Sequence, residues 1–189
     1  MDIAFIIGSS NSIGRSSYLK QKNFVKEVAK SFGLAPDHSQ AAMVLFSTSA
    51  SVQARLGQYA TTEEFVKAVD ALPHERGLTR IDRALDLAAT DIFPEARAGV
   101  PKLALLITDS RQTPAADAKD LKEVSEPLRK AGVRVLAVGI GISVDRDELR
   151  LVTETYDNVV VVSDFKHLLL KTGNLTIRAC KLAGECGHS

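Results

Sequence analysis

Residues 3–14 read IAFIIGSSNSIG and carry the pattern that decides the fold. Residues 3–7 are apolar throughout, which is typical of a parallel strand buried on both faces. The run ends in a loop of one glycine, three serines and one asparagine. A strand that opens into a polar loop and then a helix predicts the first unit of an α/β sheet. No carboxylate lies inside this loop, and that absence bears on its chemistry.

Strands and helices alternate from this stretch to the end of the chain. Apolar runs predict the strands, and apolar residues at helical spacing predict the helices. The predicted strands are residues 3–7, 41–47, 51–56, 103–108, 133–140 and 159–162. The predicted helices are residues 17–32, 61–72, 81–93, 116–130, 145–155 and 165–181. Pro127 should kink or restart the fourth helix, and Gly173 weakens the middle of the last.

This order of elements predicts a doubly wound α/β fold. We expect a six-stranded, mostly parallel sheet with helices on both faces. Only a few residues separate the second and third strands, so they should form a hairpin whose third strand is an antiparallel edge. The length predicts one domain, residues 1–181, followed by a C-terminal tail, residues 182–189.

The bulk composition excludes two classes of partner. The 189 residues carry a net charge of +1, so no basic field exists to attract nucleic acid. No apolar run approaches the roughly 20 residues that a membrane span needs. The composition is otherwise that of an ordinary globular domain.

Two features near the C-terminus favour an extracellular location. Cys180 and Cys186 are too few for a disulfide scaffold and lack the paired spacing of a zinc site. They can bridge each other, Cys180 can pair with a residue outside this sequence, or both can be free thiols. Residues 174–176, Asn-Leu-Thr, form an N-glycosylation sequon that makes Asn174 the predicted acceptor.

Three polar loops are expected to meet at one edge of the sheet. Ligands of doubly wound sheets bind beyond the C-terminal ends of the strands, where the strand order reverses. The loops there are residues 8–12, 77–79 and 108–110, which offer several hydroxyls and the carboxylate of Asp109. Oxygen donors of this kind suit magnesium, manganese or calcium rather than zinc or copper.

The segments FIIGSSNSIG, GLTRIDRAL and LLITDS resemble, in this order, the loop motifs of the von Willebrand factor type A domain. LAVGIG at residues 136–141 resembles the fifth strand of that family, and the resemblance extends from residue 2 to about residue 180. It implies a metal-ion-dependent adhesion site. Ser10, Ser12 and Thr79 would coordinate a divalent cation through their hydroxyls, and Asp109 would do so directly or through water. A carboxylate of a partner protein would complete the metal shell.

The chain departs from the family at the first ligand. Gly8 stands where the family has an aspartate, and Asp2 lies roughly 20 Å away at about 3.3 Å per residue. Ser110 replaces a usual glycine, so backbone strain is expected there. Magnesium depends on carboxylate ligands, so we expect substantially weaker cation binding. The change fits either a naturally metal-independent module or an introduced or allelic loss of the site.

The site residues also have simpler interpretations. Ser10 and Ser12 are good candidates to cap the following helix. Asp109 can be satisfied by neighbouring N–H groups and hydroxyls. Arg15, Arg80 and Arg111 flank the three loops, and we expect them to form a rim that receives an acidic partner surface.

The resemblance implies a non-enzymatic protein-binding module of a secreted matrix or adhesion protein, of the matrilin or collagen VI type. Its partner would be collagen or another matrix component, bound on the face that holds Ser10, Ser12, Thr79 and Asp109. The alternative is a structural assembly module with a vestigial metal site that binds its partner on another face.

A serine hydrolase is a remote alternative, because GSSNS nearly matches the Gly-x-Ser-x-Gly elbow with Ser10 as nucleophile. A hydrolase needs a late histidine with an acid partner, and neither His167 nor His188 follows a suitable strand. No organic cofactor is expected, because the first loop lacks Gly-x-Gly-x-x-Gly and no Gly-Lys-Ser/Thr sequence is present.

Overall fold

The computed structural model describes residues 1–184 as one six-stranded sheet with helices on both sides. The strand order is β3-β2-β1-β4-β5-β6. Every neighbouring pair is parallel except β2 and β3, which are antiparallel. This confirms the predicted fold class and the antiparallel edge. The strands are β1 Asp2–Gly8, β2 Gln40–Phe46, β3 Ala50–Ala54, β4 Lys102–Thr108, β5 Val133–Ile140 and β6 Val159–Val162.

Seven α-helices accompany the strands in the described residues. They are α1 Arg15–Phe32, α2 Thr62–Asp70, α3 Ile81–Leu87, α4 Leu121–Lys130, α5 Arg146–Thr153, α6 Phe165–Leu170 and α7 Thr172–Ala183. A π turn, Ala88–Ile92, and a 3-10 turn, Phe93–Glu95, extend α3. A further 3-10 turn, Tyr156–Asn158, leads into β6.

The central strand β1 is buried on both faces, as its unbroken apolar run predicted. Ile3, Phe5 and Ile7 pack in the core beneath α1, α2, α6 and α7. Ala4 and Ile6 pack in the second core, beneath α3, α4 and α5. Burying apolar surface stabilises the fold by about 25 cal/mol per Å², so burial on both faces holds this strand in place. Its end, Gly8, is therefore a fixed point from which the first polar loop departs.

The fourth helix begins later than the sequence pattern predicted. Residues 116–120 are not helical, and α4 starts at Leu121 because the Asp120 side chain caps it. Asp120 Oδ1 accepts hydrogen bonds from the N–H groups of Lys122 and Glu123 at 2.9 and 3.1 Å. Pro127 lies inside α4 without ending it.

The closing segment forms two helices, with the break at Lys171 rather than at a weakened Gly173. Gly173 lies in the first turn of α7. This helix continues to Ala183, two residues past the expected domain boundary, and residues 185–189 of the expected tail lie outside the described part of the chain.

Asp2 has a structural role at the opposite end of β1 from Gly8. It is fully buried, and its Oδ1 accepts a hydrogen bond from Arg97 Nε at 2.9 Å. Its Oδ2 accepts the Arg97 backbone N–H at 2.8 Å. This carboxylate is therefore committed to the far end of the sheet and takes no part in the polar loops after β1.

Candidate functional site

The strand order reverses between β1 and β4, which lie side by side at the centre of the sheet. The chain leaves β1 toward β2 and leaves β4 toward β5, so the two following loops diverge and open a crevice. We call the surface formed by residues 9–15, 73–80, 109–113 and 142–145 the top face. Backbone bonds tie its loops together, from Asn11 N–H to Gly77 O and from Thr113 N–H to Thr79 O, both at 2.9 Å.

Four side chains meet at the crevice and form what we call the Asp109 cluster: Ser10, Ser12, Asp109 and Ser110. Asp109 Oδ1 accepts hydrogen bonds from the hydroxyls of Ser12 at 2.9 Å, Ser110 at 3.0 Å and Ser10 at 3.4 Å. The Ser12 oxygen lies 2.8 Å from that of Ser10 and 2.9 Å from that of Ser110. The fold thus joins residues 97 positions apart in the sequence.

Thr79 lies on the neighbouring loop but is not bonded to this cluster. Its backbone N–H donates to Thr113 Oγ1 at 2.9 Å, which fixes the position of the loop. Thr79 is buried, and within residues 1–184 no hydrogen bond links its hydroxyl to Asp109 or the serines. Of the four predicted ligands, the structure therefore connects three, and it adds Ser110, which the sequence analysis treated only as a departure from the family.

Two simpler expectations for the serines do not agree with the structure. Ser10 and Ser12 do not cap the following helix, because Gly14 is the N-cap of α1 and no side chain bonds there. Ser110 shows no left-handed strain. In the described chain, the non-glycine residues with positive φ are Arg76 and Glu154. Neighbouring hydroxyls do bond Asp109 Oδ1, but in the described residues no N–H group is seen to join them.

Gly8 is closely surrounded. A Cβ atom at this position would lie 3.1 Å from the carbonyl oxygen of Ile107 and 3.4 Å from the ring of Phe46. The Gly8 carbonyl accepts a hydrogen bond from Gln21 Nε2 at 2.8 Å. Gln21 is fully buried, and its Oε1 has no hydrogen-bond partner in the described structure. A larger residue at position 8 would therefore require its neighbours to move by a few tenths of an ångström.

The donor set fits a divalent cation poorly. It consists of hydroxyls and one carboxylate, whose Oδ1 already receives three serine hydroxyls. Within residues 1–184 no group of three His, Cys, Asp or Glu side chains is placed to hold a metal. Gly8 supplies no second negative charge to offset the dehydration that Mg²⁺ undergoes reluctantly. The cluster has the oxygen chemistry of a cation site but half the carboxylate charge that the family motif implies.

A second cluster has a buried ion pair at its centre; we call Arg80, Asp82, Gln112 and Asp117 the Asp82 cluster. Arg80 is only 3% exposed, and its Nε and a terminal nitrogen each donate to Asp82 at 2.9 Å. Gln112 Nε2 donates to Asp82 Oδ1 at 2.6 Å, and Arg80 also bonds Asp117 at 3.1 Å. Arg80 is therefore not part of an exposed rim, contrary to expectation; it joins the second loop to the third.

Burial and neighbouring groups shift the pKa values of the charged side chains in this region. Burial by itself raises the pKa of Asp82, but hydrogen bonds from Arg80 and Gln112 outweigh it and hold that pKa well below its usual range. The hydrogen bond to Asp82 likewise raises the pKa of Arg80. Burial raises the pKa of Glu148, which accepts the Gln112 backbone N–H at 2.8 Å. Asp82 is therefore a fixed anion paired with a fixed cation.

Arg15 and Arg111 are exposed, as expected of a rim. The Arg111 side chain is 66% exposed, and its guanidinium lies 3.4 Å from the Asp145 carboxylate. Two aliphatic residues are exposed in the same region: Leu78 in the second loop and Ile142 after β5. The sequence analysis missed both, although apolar residues inside polar loops are a signal that could have found them. The top face therefore combines positive charge with exposed apolar surface.

Within residues 1–184, Ser10 has no catalytic partner of the hydrolase type. The Ser10 hydroxyl bonds Ser12 and Asp109, whereas His167 Nδ1 lies 2.8 Å from Asp164 on the exposed start of α6. His188 lies outside the described residues.

The remaining predicted sites lie near the C-terminus. Asn174 is exposed in the first turn of α7. Cys186 lies outside the described residues, so its pairing with Cys180 stays a prediction. A search of residues 1–184 finds no helix of the length and apolarity that crossing a membrane requires.

Comparisons with known proteins agree with this geometry. The family model of the von Willebrand factor type A domain matches residues 2–172. Cuticlin-6 of Caenorhabditis elegans is 28% identical over 96% of this chain and 31% of its own length. Matrilin-2 of Mus musculus is 25% identical over 99% of this chain and 20% of its own length. The chain thus spans less than a third of these relatives.

Solved structures show the same fold. Proximal thread matrix protein 1 from the mussel byssus superposes with a TM-score of 0.87 at 30% identity, over 95% of this chain and 46% of that one. A second structure of that protein, 31% identical over 95% of this chain and 45% of that one, has a zinc-occupied adhesion-site motif and also a TM-score of 0.87. These relatives are matrix proteins, in agreement with the expected extracellular location. The chain belongs to the von Willebrand factor type A domain family.

Proposed function

We propose that this domain is a non-enzymatic protein-binding module of an extracellular matrix protein and that its partner docks on the top face. The observation that carries the proposal is the Asp109 cluster. Ser12 and Asp109 meet at 2.9 Å at the point where the strand order reverses. Doubly wound sheets bind ligands at this point, and Ser12 is open to solvent there. The matrix proteins among the relatives support the same conclusion.

We further propose that the site binds a divalent cation only weakly. A cation would have to displace serine hydroxyls from Asp109 Oδ1 and would then find one protein carboxylate. Asp109 would be its charged ligand, and Ser10, Ser12 and Thr79 would supply hydroxyl oxygens. When bound, the cation would add positive charge for an acidic group of the partner.

The partner that best fits this face presents acidic side chains beside apolar ones. Arg15 and Arg111 supply exposed positive charge without a metal. The ion pair between Arg111 and Asp145 is long and solvent-accessible, so Arg111 can leave it for an acidic group of the partner at little cost in free energy. Leu78 and Ile142 provide apolar contacts near these charges. Collagen or another matrix component of this chemistry is the proposed partner.

A charge reversal at Arg111 tests the docking face. Binding of the domain to immobilised triple-helical collagen is measured for wild type, Arg111→Glu and Arg134→Glu. Arg134 is equally charged and exposed, but it lies near the opposite end of β5. We expect Arg111→Glu to weaken binding about tenfold, or about 1.4 kcal/mol, and Arg134→Glu to leave it unchanged.

The same assay, run in EDTA, separates the contribution of a cation to binding from that of the top face. Binding that survives EDTA agrees with a weakened metal site. Complete loss of wild-type binding in EDTA would contradict it, and equal effects of the two arginine variants would contradict docking on the top face.

A structural assembly module with a vestigial site is the second candidate. It is favoured by the closed hydrogen-bond network in which Asp109 already satisfies the three serine hydroxyls. Under this alternative, Arg111→Glu leaves partner binding intact. Ester turnover that disappears in Ser10→Ala would instead identify a hydrolase, and we expect no such turnover.

A further inference from the structure

Two exposed aliphatic residues lie on the closing helices, apart from the Asp109 cluster. Leu170 is 73% exposed at the end of α6, and Ile177 is 51% exposed on α7. Ile177 lines a shallow groove of about 370 Å³ between α7 and β6, together with Val160, Lys171, Asn174, Leu175 and Arg178. Leu170 directly precedes Lys171, and we call these residues together the patch. Asn174 and Ile177 are three residues apart on one helix, so they share a face. The acceptor residue of the sequon therefore lies within the patch.

The strand beside this groove is a sheet edge. β6 is the last strand in the sheet order, pairs with β5 on one side, and consists of four consecutive valines. Val160 and Val161 are half-buried rather than covered. A valine-rich edge strand can pair with another chain, and exposed aliphatic side chains next to it increase that hazard. A covering group on this patch would keep the domain monomeric.

The geometry points to such a group on Asn174: we propose that Asn174 carries an N-linked oligosaccharide that covers the groove and shields Ile177, Leu170 and the β6 edge. Asn174 is exposed, and Thr176, two residues later in α7, completes the sequon. The apolar faces of the first sugar rings pack on the aliphatic side chains, while their hydroxyls face water.

The modification is a transfer to the Asn174 side-chain amide. The donor is an oligosaccharide linked through C1 to a polyprenyl pyrophosphate. The amide nitrogen forms a bond to C1 and gives up one proton to a base of the transferase. The C1–O bond breaks, and the lipid pyrophosphate leaves with its electron pair. No oxidation or reduction takes place.

Secretion of the chain from a eukaryotic cell tests the attachment. The mass of the secreted protein is measured before and after treatment with peptide N-glycosidase. We expect treatment to lower the mass of wild type and of Thr176→Ser, which keeps the sequon. It should leave the masses of Asn174→Gln and Thr176→Ala unchanged, because residues 174–176 are the one sequon in the sequence. A wild-type protein without glycan at Asn174 would overturn the proposal.

Sedimentation velocity tests the shielding. We expect glycosylated wild type to stay monomeric at concentrations where secreted Asn174→Gln self-associates. Adding Leu170→Ser and Ile177→Ser to Asn174→Gln should restore the monomer. Equal self-association of wild type and Asn174→Gln would overturn the shielding and identify a second copy of the chain as the occupant. Collagen binding by Asn174→Gln, expected to be unchanged, separates this result from a failure of the top-face proposal.

Discussion

Two carboxylates near the crevice, Asp82 and Asp109, are held in opposite ways. Asp82 is 2% exposed and paired with the Arg80 guanidinium, with further bonds from Gln112 and the Lys119 N–H. Asp109 is half-buried, and its Oδ1 accepts bonds from serine hydroxyls alone. The buried ion pair fixes where the loops lie, whereas the hydroxyl network can exchange partners. The charge that builds the top face is thus separate from the charge that the face offers to a ligand.

Removing the buried charge should have the largest effect on stability. Asp82→Asn leaves Arg80 buried without its full counter-charge, and we expect a loss of about 3 kcal/mol or more in the free energy of unfolding. Asp109→Asn is the matched control, and it should cost less than about 1 kcal/mol because Asp109 is partly exposed and is held by uncharged hydroxyl donors rather than by a buried cation. Chemical denaturation measures both values. Similar losses in the two variants would show that Asp82 and Asp109 do not differ in their contribution to stability.

The dependence of stability on pH should also reveal the contribution of the Asp82 carboxylate. The pKa of Asp82 is lower in the folded chain than its ordinary value of 3.8, so its contribution is fully present above that value. It is lost as the pH falls through the folded pKa. Glu148 acts in the opposite direction, since burial raises its pKa. We therefore expect the stability of wild type to fall more steeply than that of Asp82→Asn from about pH 4 downward.

Denaturation curves of the two proteins at a series of pH values provide this measurement. Parallel loss of stability in wild type and Asp82→Asn would contradict the assignment of a depressed pKa to Asp82.

A glycine in the second loop should have a smaller effect. Gly77 has φ +108°, and a Cβ there would lie 2.5 Å from Thr48 Oγ1. We expect Gly77→Ala to cost about 1–3 kcal/mol from backbone strain and crowding. Gly173→Ala is the control, because that site in α7 is open and alanine should stabilise it by about 0.4–1 kcal/mol. Thermal unfolding that shifts in the same direction for both variants would contradict this account.

The sheet could be predicted from sequence because its strands are apolar runs buried on both faces. The predicted limits of β5 and β6 match the structure, and those of the other strands differ by at most two residues. The loop motifs predicted that Ser10, Ser12 and Asp109 would meet, and the structure joins them. Parallel strands whose C-terminal ends share one edge make such long-range meetings predictable.

Features that depend on particular side-chain partners were missed. Helical spacing before α4 suggested a start at residue 116, but the Asp120 cap sets it at Leu121. Arg80 looked like surface, because its local sequence shows neither that Asp82, two residues away, would be buried with it nor that Asp117, 37 residues away, would lie beside it. The role of Ser110 in the Asp109 cluster was missed for the same reason, because its partner Ser12 comes from another loop.

We propose that Gly8 weakens the cation site because it supplies no carboxylate. The most direct test is a Mn²⁺ titration of thermal unfolding for wild type, Gly8→Asp and Gly8→Asn. Both variants introduce a Cβ 3.1 Å from the Ile107 carbonyl, so their melting temperatures without metal should fall similarly. Binding to the folded state raises stability by mass action.

We predict a clear Mn²⁺-dependent rise in melting temperature for Gly8→Asp alone, with little response from wild type or Gly8→Asn. A wild-type response as large as that of Gly8→Asp, or no response from Gly8→Asp, would contradict the account.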